Sequence, residues 1–160
     1  ALRIRDRDSA DDSGTAESPL EVRFRPAKSS YQVGEAIRFR VKGNRPFYLY
    51  IFSKGRNDDW AQILPNRRNA KNKYPANREV TVPDSGIQFY GDTPGTERIV
   101  MVAGTKPIDF TTRGKAGDFL IGKAADLDEQ IKALRIRSEA GSERRDNDTV
   151  MQEIAISIED

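Results

Sequence analysis

The side chains most able to do chemistry in this sequence are the carboxylates of Asp58, Asp59, Asp92 and Glu97. Two carboxylates that converge in a cleft could hydrolyse a glycosidic bond, and several carboxylate oxygens could bind calcium. Neighbouring residues of a strand point to opposite faces, so Asp58 and Asp59 would not converge on one site, and no loop carries the ligand spacing of an EF-hand. Because Asn, Asp and Gly surround these positions, we expect turn chemistry there. The sequence predicts no catalytic residue and no metal site.

The chain has 160 residues and contains no cysteine and no histidine. A disulfide framework, a cysteine zinc site, a cysteine nucleophile and a Ser-His-Asp triad are therefore excluded. The 27 basic and 25 acidic residues give a net charge of only +2, so overall charge does not favour nucleic acid as a partner. We expect no enzyme activity and no cofactor.

A polar loop between two predicted strands is the first candidate binding site. It follows the strand that begins at Trp60, and its chemistry suits an anionic partner such as a phosphate, a lipid headgroup or an acidic protein face. The alternative is that Asn66 and Asn72 hydrogen-bond the loop backbone while the charges are solvated. The candidate binding residues are Asn66, Arg67, Arg68, Lys71, Lys73, Arg78 and, at the start of the preceding strand, Trp60.

Aromatic residues offer a second candidate. Trp60, Tyr48, Tyr50 and Tyr90 could form a platform on which sugar rings stack. Aromatic residues in strands are more often part of the core. The two interpretations differ in whether the indole of Trp60 is exposed.

Arginines on two predicted strands offer a third candidate. Arg23 and Arg25 alternate with apolar residues on one strand, and Arg38 and Arg40 do so on the next. If the two strands were paired neighbours, like charges would face each other at a cost in stability. Either acidic groups intervene, or the strands lie in different sheets, or the face binds an anion; a solvated face is the simplest interpretation.

The chain divides into a polar arm and one domain. Residues 1–19 are too polar to repay the entropy of ordering, so we interpret them as a flexible arm or tether. Residues 20–160 have the size of a single domain. No run approaches the roughly 18 apolar residues of a membrane span, and the sequence, which begins at Ala1, shows no signal peptide. A membrane tether upstream is compatible with this arrangement.

Alternating and apolar runs predict seven or eight short strands. Two of them, 47–52 and 98–103, are apolar on both faces, so we place them side by side in the core. Prolines at 65, 75 and 83 mark strand ends, and Gly34 is expected at positive φ in a turn over 31–35. Residues 111–122 are predicted as loop. The strands are predicted at 20–25, 36–42, 47–52, 60–64, about 74–82, 87–90, 98–103 and about 151–158.

A single helix is predicted over 126–137. Asp126 and Glu129 have the spacing of a capping box, and Leu127, Ile131 and Leu134 form one apolar stripe. The predicted fold class is therefore mainly β: an antiparallel β-sandwich, immunoglobulin-like or transthyretin-like, with one late α-helix.

An ordered set of short motifs resembles the bacterial domain of unknown function 4384 family over roughly residues 20–110. The motifs are Tyr31-x-x-Gly34-Glu35-x-Ile37-x-Phe39, the aromatic strand 47–52, Ile63-Leu64-Pro65-Asn66, Asn72-x-x-x-Ala76, Val80-Thr81-Val82-Pro83, Gly95-x-Glu97-x-Ile99 and Lys106-Pro107. The resemblance implies a bacterial envelope protein or lipoprotein, periplasmic or outer-membrane associated. It also implies an interaction module without assigned catalytic residues, found with peptidases, kinases and secretion components.

Three functional hypotheses follow. The first is a non-catalytic extracytoplasmic module that binds another protein, for example as an accessory of a secretion or peptidase system. The second is a module that binds carbohydrate or peptidoglycan through Trp60 and the tyrosines. The third is a carboxylate-based hydrolase, which would require a converging pair of carboxylates.

Overall fold

The computed structural model describes residues 18–54, 59–66, 68–83, 86–108, 110, 114–116, 119–123 and 148–160. The described part of the chain is built from β-strands, which confirms the predicted fold class of a mainly β, sandwich-like protein. The predicted arm over 1–19 lies outside the described residues except for its last two positions, and the predicted helix over 126–137 lies wholly outside them.

The strands fall into three sheets. In chain order they are β1 Val22–Pro26, β2 Ser30–Gln32, β3 Ala36–Ile37, β4 Phe39–Gly43, β5 Phe47–Lys54, β6 Asp59–Leu64, β7 Lys73–Tyr74, β8 Val80–Val82, β9 Phe89–Tyr90, β10 Gly95–Gly104, β11 Gly114–Ala116, β12 Phe119–Lys123 and β13 Thr149–Glu159. The small sheet has the order β1-β4-β8, the large sheet has the order β11-β12-β6-β5-β10-β13-β2 with β7 also on β5, and β3 pairs with β9.

The predicted adjacency of 47–52 and 98–103 is confirmed. These segments lie in β5 and β10, which pair antiparallel with Val100 opposite Phe52 and Val102 opposite Tyr50. Both strands are buried on both faces because apolar side chains cover each side of the large sheet. A strand with two covered faces needs no polar alternation, which is why its sequence reads as continuously apolar.

The main core lies between the small and the large sheets. Alternate residues of the small sheet point inward, among them Phe24, Phe39 and Val41, and the rings of Phe24 and Phe39 stack with centroids 5.0 Å apart. They pack with side chains of the large sheet such as Leu49 and Ile156. Their outward neighbours are exposed, as strict alternation along a strand requires.

Four predicted boundaries are wrong. Residues 111–122 are not all loop, because β11 and β12 form a hairpin and β12 pairs with β6. The predicted turn over 31–35 begins one residue into β2. The strand predicted over 36–42 is two strands, β3 and β4, in different sheets. The strand predicted over about 74–82 is likewise divided into β7 and β8, with Asn77 between them at a φ of 60°.

Candidate functional site

The exposed face of the small sheet carries four cationic side chains in neighbouring positions. Arg23 and Arg25 extend from β1, and Arg40 and Lys42 extend from β4; all four residues are exposed. Because β1 and β4 pair antiparallel, Arg25 lies directly opposite Arg40 and Arg23 lies directly opposite Lys42. We call these four residues the basic face.

Two carboxylates lie at the basic face among the described residues: Glu79, and the exposed Glu21, which lines a cleft together with Arg23 and Lys42. Glu79, just before β8, places Oε2 3.5 Å from Nη2 of Arg25, and both side chains are about half exposed. An ion pair this exposed contributes little to stability. On the far side of Arg40, β8 offers the neutral Thr81. Directly opposed like charges on a sheet destabilise it, and the exposed ion pair at Arg25 offsets this only weakly.

The sequence left three explanations open for the arginines: intervening acidic groups, strands in different sheets, or a face that binds an anion. The structure bears on the first two. The two arginine-bearing strands do not lie in different sheets, since β1 and β4 are paired. Among the described residues, Arg25 forms an ion pair with Glu79, and Glu21 lies in the same cleft as Arg23 and Lys42. Arg38 lies between β3 and β4 and does not belong to the paired face.

The side chain of Asn66 hydrogen-bonds the backbone of the predicted basic loop. Its side chain is buried; Oδ1 accepts hydrogen bonds from the backbone N–H groups of Arg68 and Asn69 at 2.8 and 2.9 Å, and Nδ2 donates to the carbonyl of Ile63. Asn72 similarly donates to the carbonyl of Leu49. Asn66 therefore hydrogen-bonds the loop backbone, as the structural alternative predicted, whereas Asn72 bonds the backbone of β5.

The described cations of the predicted loop are not gathered on one element: Lys73 lies in β7, and Arg68, Lys71 and Arg78 lie outside the strands. Arg68, Lys71, Lys73 and Arg78 are exposed. Lys73 belongs to β7 on the large sheet, where its Nζ lies 5.3 Å from the ring centroid of Tyr48. Arg78 instead follows Asn77, whose N–H donates to the carbonyl of Gly43 at the end of β4. Arg67 lies outside the described residues.

The aromatic candidates do not form an exposed platform. Trp60 is only 4% exposed and Tyr50 only 6%, and both pack with Phe52, Val100 and Val102 on the outer side of the large sheet. Tyr90, in β9, is 62% exposed but stands apart from that cluster. Stacking on a sugar requires an exposed ring face, which the described structure does not offer at Trp60.

Two of the candidate carboxylates line one cleft of about 330 Å³ at an end of the core. Glu97 accepts a hydrogen bond from the hydroxyl of Ser53 at 3.2 Å, and Asp92 accepts one from the hydroxyl of Thr93 at 3.0 Å. The rest of the lining is largely apolar, including Ile37, Phe39 and Ile99. Asp58 lies outside the described residues, and within the described residues no cluster of three potential ligands could hold a metal ion.

Tyr31, Gly34 and Glu35 build the corner between β2 and β3. The buried Tyr31 hydroxyl accepts the N–H of Lys28 at 2.9 Å, and Gly34 adopts a φ of 84°. The Glu35 carboxylate accepts hydrogen bonds from the ammonium of Lys28 and from the N–H of Gln32, and these donors hold the pKa of Glu35 below its ordinary value. Tyr31, Gly34 and Glu35 of this motif therefore have structural roles at the corner between β2 and β3.

Comparison with protein families matches part of the chain. Residues 30–107 match the model of the family described as Domain of unknown function (DUF4384). The family resemblance is confirmed over this stretch. No curated protein and no solved structure matches the chain.

The DUF4384 match begins at the first residue of β2 and ends shortly after β10. It includes Arg40 and Lys42 of the basic face and leaves out Arg23 and Arg25. It also leaves out β1 and β13, which pair with β4 and β10 inside the match. None of the described residues belongs to a helix that is long and apolar enough to cross a bilayer.

Proposed function

We propose that this chain is a non-catalytic protein-interaction module whose basic face binds an acidic surface of a partner protein. The observation that carries the proposal is the direct pairing of Arg25 with Arg40 and of Arg23 with Lys42. Such pairing costs stability in the free protein. An anionic partner would be attracted to these cations, and its negative charges would offset the repulsion between them.

The electrostatics suit recognition of a protein surface. Four cations on two neighbouring strands create a local positive field, although the whole chain carries a net charge of only +2. A local field of this kind steers an oppositely charged partner and fixes its register. The face contains no exposed aromatic ring, which single-stranded nucleic acid would use for stacking.

The cellular setting of the proposal comes from the family resemblance. We place the module in the bacterial envelope, in the periplasm or at the outer membrane, as part of an envelope protein or lipoprotein. An accessory role in a secretion or peptidase system fits that setting. The carbohydrate and hydrolase hypotheses have weaker support, because Trp60 is buried and the cleft beside Glu97 is largely apolar.

The test compares two charge reversals of equal size. Arg40→Glu reverses the centre of the basic face, whereas Lys106→Glu reverses an exposed lysine in the loop after β10. Each purified variant and the unaltered chain are used as bait in envelope extract at low and at high salt. We expect an acidic partner that the unaltered chain and Lys106→Glu retain at low salt, that Arg40→Glu loses, and that high salt releases.

The same variant has an opposite effect on stability. Arg40→Glu places a carboxylate directly opposite Arg25 and should raise the free energy of unfolding by about 0.2–1 kcal/mol. Urea denaturation measures this change, with Lys106→Glu as the control. Equal recovery of the same proteins by Arg40→Glu and by the unaltered chain would contradict the proposed function.

A further inference from the structure

Strand β13 is paired along its full length on one edge and over only three residues on the other. Its eleven residues include ten that pair with β10, from Ile158 opposite Gly95 to Thr149 opposite Gly104. On the opposite edge, β2 pairs in parallel with Ser157, Ile158 and Glu159. Among the described residues, no other strand pairs with that edge.

Backbone hydrogen bonds identify the groups along the free part of this edge. The N–H of Ser157 donates to the carbonyl of Ser29, and the carbonyl of Glu159 accepts from Val33, so these odd-numbered positions face β2. The N–H and C=O groups of a strand alternate between its two edges from one residue to the next. Met151, Glu153 and Ala155 must therefore direct theirs to the same edge, beyond the end of β2.

The described part of the chain before β2 does not pair with this edge. β1 pairs with β4 in the small sheet instead of continuing along β13. The gap between β1 and β13 is bridged by Gln152, whose Nε2 donates to the carbonyl of Phe24 at 3.1 Å. A cleft of about 400 Å³ extends from there and is lined by Val22, Phe24 and Gln152 among others.

The sequence of β13 does little to discourage pairing. Natural edge strands are usually protected by lysine, proline or a bulge. The stretch from Thr149 to Ile156 has no proline and no lysine, and it contains four residues of high β propensity in Thr149, Val150, Ile154 and Ile156. Its one charged residue, Glu153, is engaged in an ion pair with Arg98.

We propose that an extended segment of a partner protein adds to this edge as a strand, opposite Met151, Glu153 and Ala155. An extended polypeptide is the ligand that matches a row of alternating N–H and C=O groups. The pairing of β2 with the same edge shows that its geometry accepts a strand. The adjacent cleft offers room for side chains of the added segment. That cleft is also lined by Arg23 and Lys42 of the basic face, but the backbone groups of β13 carry the inference, so it does not rest on the function proposed above.

The test uses a displayed library of random ten-residue peptides as the probe. Peptides are selected on the unaltered chain and then measured against Ala155→Pro and Ala155→Val. Proline at 155 removes an N–H that faces the free edge and fills the edge with its ring, while the hydrogen bonds to β10 remain. Valine keeps the N–H and favours the strand.

We expect the selected peptides to bind Ala155→Val as they bind the unaltered chain and to lose about tenfold or more in affinity for Ala155→Pro. Cooperative unfolding of both variants shows that they are folded. In hydrogen exchange, the amides of Met151, Glu153 and Ala155 should exchange rapidly in the free chain and slowly when a peptide is bound.

Three results would overturn the proposal. One is slow exchange of those amides in the free chain, which would mean that another part of the chain already covers the edge. Another is equal affinity for Ala155→Pro and Ala155→Val. The third is a library that yields no binder. If Arg40→Glu abolishes partner capture while peptide binding persists, the two surfaces are independent, and failure of one proposal leaves the other standing.

Discussion

At the scale of single residues, Glu35 makes stability depend on pH. The Lys28 ammonium and the N–H of Gln32 stabilise its carboxylate and lower its pKa. A carboxyl whose pKa is lower in the folded state contributes stability at neutral pH and loses that contribution as pH falls through its folded-state pKa. We therefore expect the free energy of unfolding to fall less on acidification in Glu35→Gln than in the unaltered chain. Urea denaturation at neutral pH and at about pH 3 measures the difference.

The control for that measurement is Asp160→Asn, which removes an exposed carboxylate just after β13. Its acid sensitivity should match that of the unaltered chain. If Glu35→Gln and Asp160→Asn lose the same stability on acidification, the contacts at Glu35 do not contribute.

Gly43, the last residue of β4, is required by close packing. A Cβ at this position would lie 2.7 Å from two ring carbons of Phe47, whose side chain is fully buried. Overpacking of this kind costs typically about 1–3 kcal/mol, so we expect Gly43→Ala to lower the free energy of unfolding by that amount. The neighbouring Lys42→Ala removes an exposed charge that faces Arg23, so it should not lower the free energy of unfolding. Equal unfolding midpoints for the two variants would contradict the packing argument.

Some single positions can be predicted from sequence and others cannot. Gly34 was expected at positive φ and adopts it, because glycine has no steric penalty there. The positive φ of Asn77 was not anticipated, since asparagine adopts several backbone conformations in turns. From sequence alone, Asn66 was compatible with a role in binding and with a role in holding the loop backbone. Its burial favours the second role, and burial depends on the tertiary fold.

At the scale of elements, the strongest hydrophobic patterns predicted the architecture. The two apolar runs within β5 and β10 lie side by side because only the centre of a sheet covers both faces of a strand. The two-residue strands β3 and β7 were merged with longer strands, and the five-residue β12 was missed. Each of these strands exists because it pairs with another strand: β3 with β9, β7 with β5 and β12 with β6. The partner strands are distant in the sequence, so local propensity does not predict the pairing.

The segment after β10 is held to the large sheet by Tyr50. The hydroxyl of Tyr50 accepts the N–H of Ile108 at 2.8 Å, and its ring packs edge-on against Phe110. Tyr50→Phe would leave that N–H without its acceptor; because the hydrogen bond is only partly buried, its loss should cost about 0.5–1.5 kcal/mol, as for an ordinary hydrogen bond. We expect lower stability and faster hydrogen exchange at Ile108, with exposed Tyr90→Phe as the unaffected control. Unchanged exchange at Ile108 would show that this hydrogen bond does not hold the segment.

At the scale of the whole molecule, the net charge does not indicate that the basic face exists. A total of +2 in 160 residues gives no indication of a basic surface. Alternation along 20–25 and 36–42 did indicate outward-facing arginines. It could not show that Arg25 and Arg40 are direct neighbours, because register between strands is set by the packing of the inner face and by distant turns.

The folded unit is larger than the DUF4384 match, and this can be tested by truncation. A fragment of residues 30–107 lacks β13, which pairs with β10 over ten positions, and it lacks β1, which covers β4. It also loses the buried side chains of Leu20, Phe24, Ile156 and Ile158 from the main core. Burying a large apolar side chain contributes roughly 1.5–3 kcal/mol, so the loss of four is comparable to the whole stability of a small domain, about 5–15 kcal/mol.

We expect the fragment to show no cooperative unfolding and poorly dispersed amide signals in NMR spectra, whereas a chain of residues 18–160 should unfold cooperatively. A fragment 30–107 with a well-dispersed spectrum would show that the matched segment folds without its flanking strands.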